Sequence, residues 1–172
     1  MADPQGQAGQ TGRRRLLDLL PGFKGYRERE ERRQADKLLR DHLVSLIDGE
    51  RTKLQRTEAD LSHAGKVAQV GALDRCLGQL TKERDKLHYA DYGYTGWLEK
   101  PAFNEPELDK LYQYDLSLQD ALTALSEKVA AVTAADEAGF EAAVAALDAA
   151  ITDLGGKIEG RSDAIAGLPP SQ

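Results

Sequence analysis

The sequence predicts an all-α fold: an elongated, antiparallel four-helix bundle in up-down-up-down order with coiled-coil character. Three observations predict it. First, proline is absent between Gly22 and Lys100 and between Glu107 and Leu168, which permits long helices. Second, apolar residues recur at alternating intervals of three and four along both stretches. Third, a hydrophobic content of 41% with only 6% aromatic residues is typical of thin apolar seams between helices.

One helical domain is expected over residues 13–166. It is flanked by a disordered tail at 1–12, which is rich in glycine and glutamine, and by a short tail at 167–172. Within the domain the apolar period predicts four helices, at about 26–63, 66–89, 105–132 and 136–165.

Local signals mark where these helices begin and end. Gly65 is a predicted left-handed cap that ends the first helix. Asn104 with Glu107 three residues later, and a proline between them, predicts a capping box that begins the third helix. Gly71 and Gly78 lie seven residues apart inside the second helix. We expect a neighbouring helix to approach closely there, because glycine otherwise weakens a helix.

Aromatic residues are concentrated in one part of the chain. Seven of the ten lie between Tyr89 and Tyr114, around the only long break in the helical pattern. In the predicted topology this break and the start of the first helix share one end of the bundle. We call residues 13–27 and 89–114 the aromatic-basic pole. Two interpretations stay open: the aromatic loop caps the core, or it forms an exposed partner-binding surface.

The charges are distributed unevenly. Residues 1–102 carry 19 Lys and Arg against 16 Asp and Glu, whereas residues 103–172 carry 4 against 13. The chain as a whole has a net charge of −6. This asymmetry predicts either attraction between the two halves or an anionic partner for the N-terminal end.

Arg13 to Leu20 form a short basic-apolar segment that allows two interpretations. Its leucines, with Phe23, could insert into an anionic membrane surface, or they could fold back onto the bundle end as a strap. The candidate partner-binding residues at the pole are Arg13, Arg14, Arg15, Phe23, Lys24, Tyr26, Tyr92, Tyr94 and Trp97.

The sequence offers no pattern typical of a catalytic, metal or cofactor site. Cys76 is a single cysteine without a base at a defined spacing, and the three histidines are scattered. Asp85 and His88 have the carboxylate-x-x-His spacing, but a di-iron bundle needs two such pairs. The N-terminus lacks the apolar core of a secretion signal, and no apolar run is long enough for a membrane span. We therefore expect a non-enzymatic cytoplasmic protein without catalytic, metal-binding or cofactor-binding residues.

Two segments, 16–43 and 90–96, resemble a family of small bacterial helical proteins without an established activity. The first reads LLDLLPGFKGYREREERRQADKLLRDHL and the second ADYGYTG. The resemblance covers roughly residues 16–114 and transfers no catalytic residue. It implies a scaffold or adaptor at the membrane face, so a membrane-peripheral location stands beside the cytoplasmic one.

Together these observations predict an interaction or scaffold protein that binds a protein partner through the aromatic-basic pole. The first alternative is a peripheral membrane protein of envelope stress that binds an anionic membrane surface. The second is a nucleic-acid or stress-response binding protein, which the acidic C-terminal half disfavours. A homodimer that completes the apolar seam is a further alternative.

Overall fold

A computed structural model describes residues 13–90 and 104–166 of the chain. The described residues are predominantly helical and contain no strand, which confirms the all-α prediction. The predicted tails at 1–12 and 167–172, and the aromatic loop at 91–103, lie outside the described residues. The helices are α1 at 13–19, α2 at Arg29–His63, α3 at Val67–His88, α4 at Glu105–Ala134 and α5 at Phe140–Ala166.

The helix ends follow the local signals in the sequence. Gly65 has a φ of 72°, a left-handed conformation that glycine adopts without strain, and it reverses the chain between α2 and α3. At the start of α4 the side chain of Asn104 accepts a hydrogen bond from the amide of Glu107 at 2.9 Å. The Glu107 carboxylate accepts one from the amide of Asn104 at 3.0 Å, so the predicted capping box is confirmed.

The start of α2 differs from the prediction. The helix was expected from about residue 26 but begins at Arg29, after Glu28 in an extended conformation. Gly25 has a φ of 94°, which turns the chain away from a helical path, and the ring of Tyr26 is fully buried. Packing of the Tyr26 ring in the core therefore outweighs the local helical preference of residues 26–28, which stay outside α2.

Each short connection produces a helical hairpin. In the first hairpin Asp48 contacts Arg84 at 3.2 Å, and Arg51 contacts Thr81 at 3.1 Å. Residue numbers rise along α2 while they fall along α3, so the two helices are antiparallel. Helices α4 and α5 pack on each other as the second hairpin.

The two hairpins lie side by side, with α2 against α4 and α3 against α5. The ring of Tyr26 stacks on Tyr112, and the hydroxyl of Thr57 lies 3.3 Å from that of Thr133. Both numbers rise together, so α2 and α4 run in the same direction. Ion pairs from Lys66 to Glu137 and from Lys86 to Glu159 show the same for α3 and α5. The helices are therefore antiparallel within each hairpin, whereas the contacts between the hairpins join parallel helices.

The core is a continuous apolar seam shared by the four long helices. The glycine prediction for α3 was wrong, because Gly71 and Gly78 have no neighbouring atom within 4 Å of where a Cβ would stand. The close approach occurs at Gly155 of α5, where a Cβ would lie 2.9 Å from the carboxyl carbon of Glu83. The most deeply buried seam residues are Leu39, Leu43, Ile47, Leu54, Leu73, Leu80, Leu118, Leu125, Val129, Leu147 and Leu154.

Candidate functional site

Residues 13–26 form a strap that folds back onto the bundle. Leu16, Leu20 and Phe23 retain at most 3% of their surface exposed, and the guanidinium of Arg15 lies 3.4 Å from Asp120 of α4. Of the two interpretations of this segment, the strap is therefore the one that describes its fold. Three of the five apolar side chains that a membrane-inserted segment would use are buried in the protein instead.

Tyr26 anchors the C-terminal end of the strap. Its ring is fully buried, with the ring of Tyr112 stacked at 5.6 Å and that of Phe23 edge-on at 5.4 Å. Its backbone amide donates a hydrogen bond to the hydroxyl of Tyr112 at 3.2 Å. The adjacent Gly25 leaves room for this contact, since a Cβ there would stand 2.7 Å from the same hydroxyl.

The hydroxyl of Tyr26 enters a buried ionic network that joins three helices. It donates to Asp115 of α4 at 2.7 Å. Arg161 of α5 donates through Nε to the second oxygen of Asp115 at 2.7 Å and through Nη2 to Asp36 of α2 at 3.0 Å. Asp36 also accepts a hydrogen bond from Nε of Arg40 at 2.8 Å. Each of these five residues is at most 4% exposed, so both buried carboxylates have cationic partners.

A second buried arginine holds the turn before α2. Arg32 is fully buried, and its Nε donates to the carbonyl of Tyr26 at 2.7 Å. Its Nη2 donates to the carbonyl of Arg27 at 3.2 Å. These bonds satisfy carbonyl groups that the late start of α2 leaves outside the helix.

Burial controls the protonation of the network. It raises the pKa of Tyr26 well above its ordinary value, and the negative charge of Asp115 adds to the effect. Burial also raises the pKa of Asp115, although Arg161 and the Tyr26 hydroxyl counteract it by favouring the charged carboxylate. Burial alone would lower the pKa of Arg161, but Asp115, Tyr26 and Asp36 outweigh it and hold that pKa well above its ordinary value. The arginine therefore stays charged.

The paired charges of this network fix the relative positions of the strap and the helices that carry them. In the part of the chain that the structure describes, no group of three or more His, Cys, Asp or Glu side chains is placed to hold a metal ion. Burial raises the pKa of the Cys76 thiol, which favours the unreactive protonated form. The structural consequence of the network is that the strap is connected rigidly to α2, α4 and α5.

The predicted partner-binding residues fall into three groups. Phe23 and Tyr26 are buried and belong to the core, because the strap turns their rings inward. Tyr92, Tyr94 and Trp97 lie outside the described residues, so neither interpretation of the aromatic loop is tested. The residues with exposed side chains are Arg13, Arg14, Arg15 and Lys24.

The exposed side of the strap carries basic residues and, between them, two exposed leucines. Leu17 and Leu19 are 39% and 41% exposed, on the flanks of the face that carries Arg14 and Asp18. Lys24 makes an ion pair with Glu31 at 2.8 Å, and this hydrogen bond raises the pKa of the lysine. Tyr89, at the end of α3, adds an aromatic ring that is 63% exposed.

Sequence reasoning missed the buried ionic network. Its signal was present: Asp115 lies midway between Leu111 and Leu118, where the apolar period of α4 calls for another apolar residue. Arg161 similarly follows Leu154 and Ile158 on the seam of α5. A charged residue at a seam position indicates a buried partner of opposite charge, because an unpaired buried charge is too costly.

Comparisons with known proteins gave no match for the chain. No family model matches the chain, and searches of curated proteins and of solved structures gave no significant match. Among the described residues, no helix is both long enough and apolar enough to cross a membrane.

Proposed function

We propose that the protein is a non-enzymatic interaction or scaffold protein, which binds a protein partner through the aromatic-basic pole. In this proposal the four long helices act as a bundle with coiled-coil character whose role is to hold the pole in place. The observation that carries the proposal is the strap. Its inner side is fixed by buried ionic and aromatic contacts, while its outer side presents Leu17, Leu19 and three arginines.

The construction of the strap supports binding rather than simple core closure. A side chain held in one place loses little conformational entropy when it is buried by a partner. Leucine beside arginine on such a support provides apolar area together with charge-assisted hydrogen bonds. A strap that only closed the core would need Leu16, Leu20 and Phe23, but not exposed leucines on its outer side.

The alternative is peripheral association with an anionic membrane. The exposed Leu17 and Leu19 with Arg13, Arg14 and Arg15 also fit the chemistry of such a surface. Two exposed leucines supply little insertion energy, so membrane binding would depend on charge and decrease strongly with salt. A nucleic-acid partner is the weaker alternative, since the C-terminal half carries 13 acidic against 4 basic residues.

Site-specific photo-crosslinking in living cells tests the proposal. A photoreactive amino acid at position 17 should give a discrete protein adduct, which Arg14→Glu should weaken. The matched control carries the same amino acid at Gln55, an exposed position in the middle of α2. Equal adducts at both positions, or none at position 17, would reject the proposal. Co-sedimentation with anionic and neutral vesicles at two salt concentrations tests the membrane alternative.

A further inference from the structure

A groove opens between the parallel helices α3 and α5, at the end of the molecule far from the strap. It encloses about 660 Å³, and its floor contains the buried Cys76 and Phe140 together with the half-buried Val144. The helices approach closely at Gly155, where the Glu83 side chain occupies the place of a Cβ. Towards their N-termini they leave the groove uncovered.

The rim of the groove is mainly acidic. Glu141 and Asp148 line it with exposed carboxylates, opposed by the guanidinium of Arg75, and the third carboxylate, that of Glu137, forms an ion pair with Lys66. Ala145 on the rim is exposed and small, so it does not obstruct an approaching helix. The groove thus combines an apolar floor with a negative rim, the complement of an apolar segment that carries positive charge.

We propose that this groove receives the outer face of the strap of a second copy of the chain. The strap offers Leu17 for the floor and Arg14, one helical turn before it, for the rim. Leu19 lies on the opposite flank of the strap helix, and Asp18 lies on the side of Arg14 away from Leu17. The two surfaces thus match in one apolar contact and one pair of opposite charges. This inference rests on the proposed function, because it names the partner of the same pole.

The two surfaces lie too far apart to meet within one molecule. Val144 and Arg161 are separated on α5 by about 25 Å at the rise of an α-helix. Ion-pair and hydrogen-bond contacts with Asp120 and Asp115 hold the strap at the other end of the bundle. A strap-to-groove contact is therefore heterologous, and repetition would produce a head-to-tail assembly.

Sedimentation of the full chain over a range of concentrations tests this assembly. Wild type should self-associate, and either Arg14→Glu or Asp148→Arg should weaken the association by about tenfold, because each replaces an attraction by a repulsion. An equimolar mixture of the two variants should associate again. The net charge of −6 changes only by two in each variant, so both remain negative and bulk attraction cannot explain recovery in the mixture.

A matched pair of alanine variants tests the groove itself. Ala145→Arg places a bulky cation on the rim, where it blocks the groove and repels Arg14, and should abolish self-association. Ala146→Arg adds the same charge at the next exposed residue, which does not line the groove, and should leave association unchanged. Circular dichroism of both variants verifies that they are folded.

The outcomes separate this inference from the proposed function. A wild-type chain that stays monomeric at all concentrations overturns the inference, while an adduct with another protein at position 17 still supports the proposed function. Self-association that responds to Arg14→Glu but not to Ala145→Arg also overturns it. Self-association that is unchanged by Arg14→Glu overturns the inference, whereas the absence of any adduct at position 17 argues against both the inference and the proposed function.

Discussion

The hydroxyl of Tyr26 lies 2.7 Å from the carboxylate of Asp115, although 89 positions separate the two residues in the chain. This contact connects the strap to α4, and Arg161 extends it to α5 and α2. The position of the strap, and with it the orientation of the exposed leucines, is therefore set by residues from three long helices.

Removal of the Tyr26 hydroxyl should destabilise the protein. Tyr26→Phe keeps the ring but leaves one oxygen of a buried carboxylate without its donor, which should lower the free energy of unfolding by about 1.5–3 kcal/mol. Urea denaturation measures the change. Tyr89→Phe is the control, because that ring is 63% exposed and its hydroxyl should matter by less than about 0.5 kcal/mol. Equal effects of the two substitutions would contradict this role of the hydroxyl.

Loss of the central cation should have a larger effect. Arg161→Met removes the guanidinium between the carboxylates of Asp115 and Asp36, which then repel each other. The free energy of unfolding should fall by about 3–5 kcal/mol. Arg56→Met, the same change at an exposed residue of α2, should be nearly neutral. Thermal and urea denaturation compare the two. A loss below about 1 kcal/mol for Arg161→Met would show that the network contributes little.

The network also predicts a specific loss of stability at alkaline pH. The pKa of Tyr26 is raised well above its ordinary value in the folded protein, so the unfolded chain releases this proton first. The corresponding stability is fully present below about pH 10 and is lost as pH rises through the folded pKa. Unfolding measured between about pH 9 and pH 11 should therefore show a shallower decline in Tyr26→Phe than in wild type or Tyr89→Phe. Parallel declines in all three would contradict the shifted pKa.

The close approach of α3 and α5 predicts different effects of alanine on stability at the two adjacent glycines Gly155 and Gly156. Gly156→Ala meets no atom within 4 Å and should stabilise the helix by about 0.5–1 kcal/mol. At Gly155 the new Cβ would stand 2.9 Å from the carboxyl carbon of Glu83, which must move. Gly155→Ala should therefore lose that gain or reverse it in urea denaturation. Equal stabilisation by both would mean that Glu83 moves without cost.

The sequence predicted local features well and pairings poorly. The Gly65 turn and the Asn104 capping box depend on neighbouring residues, so their signals lie within a few positions. The side-by-side arrangement of the hairpins depends on which apolar faces meet, and the apolar period is the same in all four helices. The pairing of Tyr26 with Asp115 and Arg161 likewise has no local signature, because three distant segments supply it.

Within the candidate site, the sequence predicts the charges of the strap. It does not predict which of the strap's side chains point into the core. Arg13, Arg14, Arg15 and Lys24 are exposed as a basic segment suggests. Phe23 and Tyr26 were predicted as binding residues because aromatic rings are common at interfaces. The same property favours burial in a core, and the left-handed turns at Gly22 and Gly25 precede the buried rings of Phe23 and Tyr26.

Hydrogen exchange of the strap amides tests the central claim most directly, namely that the buried network holds the strap on the bundle. The amides of Leu20, Phe23 and Tyr26 donate hydrogen bonds in the folded protein. We expect them to be protected in wild type and to exchange much faster in Tyr26→Phe, while amides in the middle of α3 change little. Exchange of the wild-type strap amides at the rate of an unstructured peptide would contradict the account.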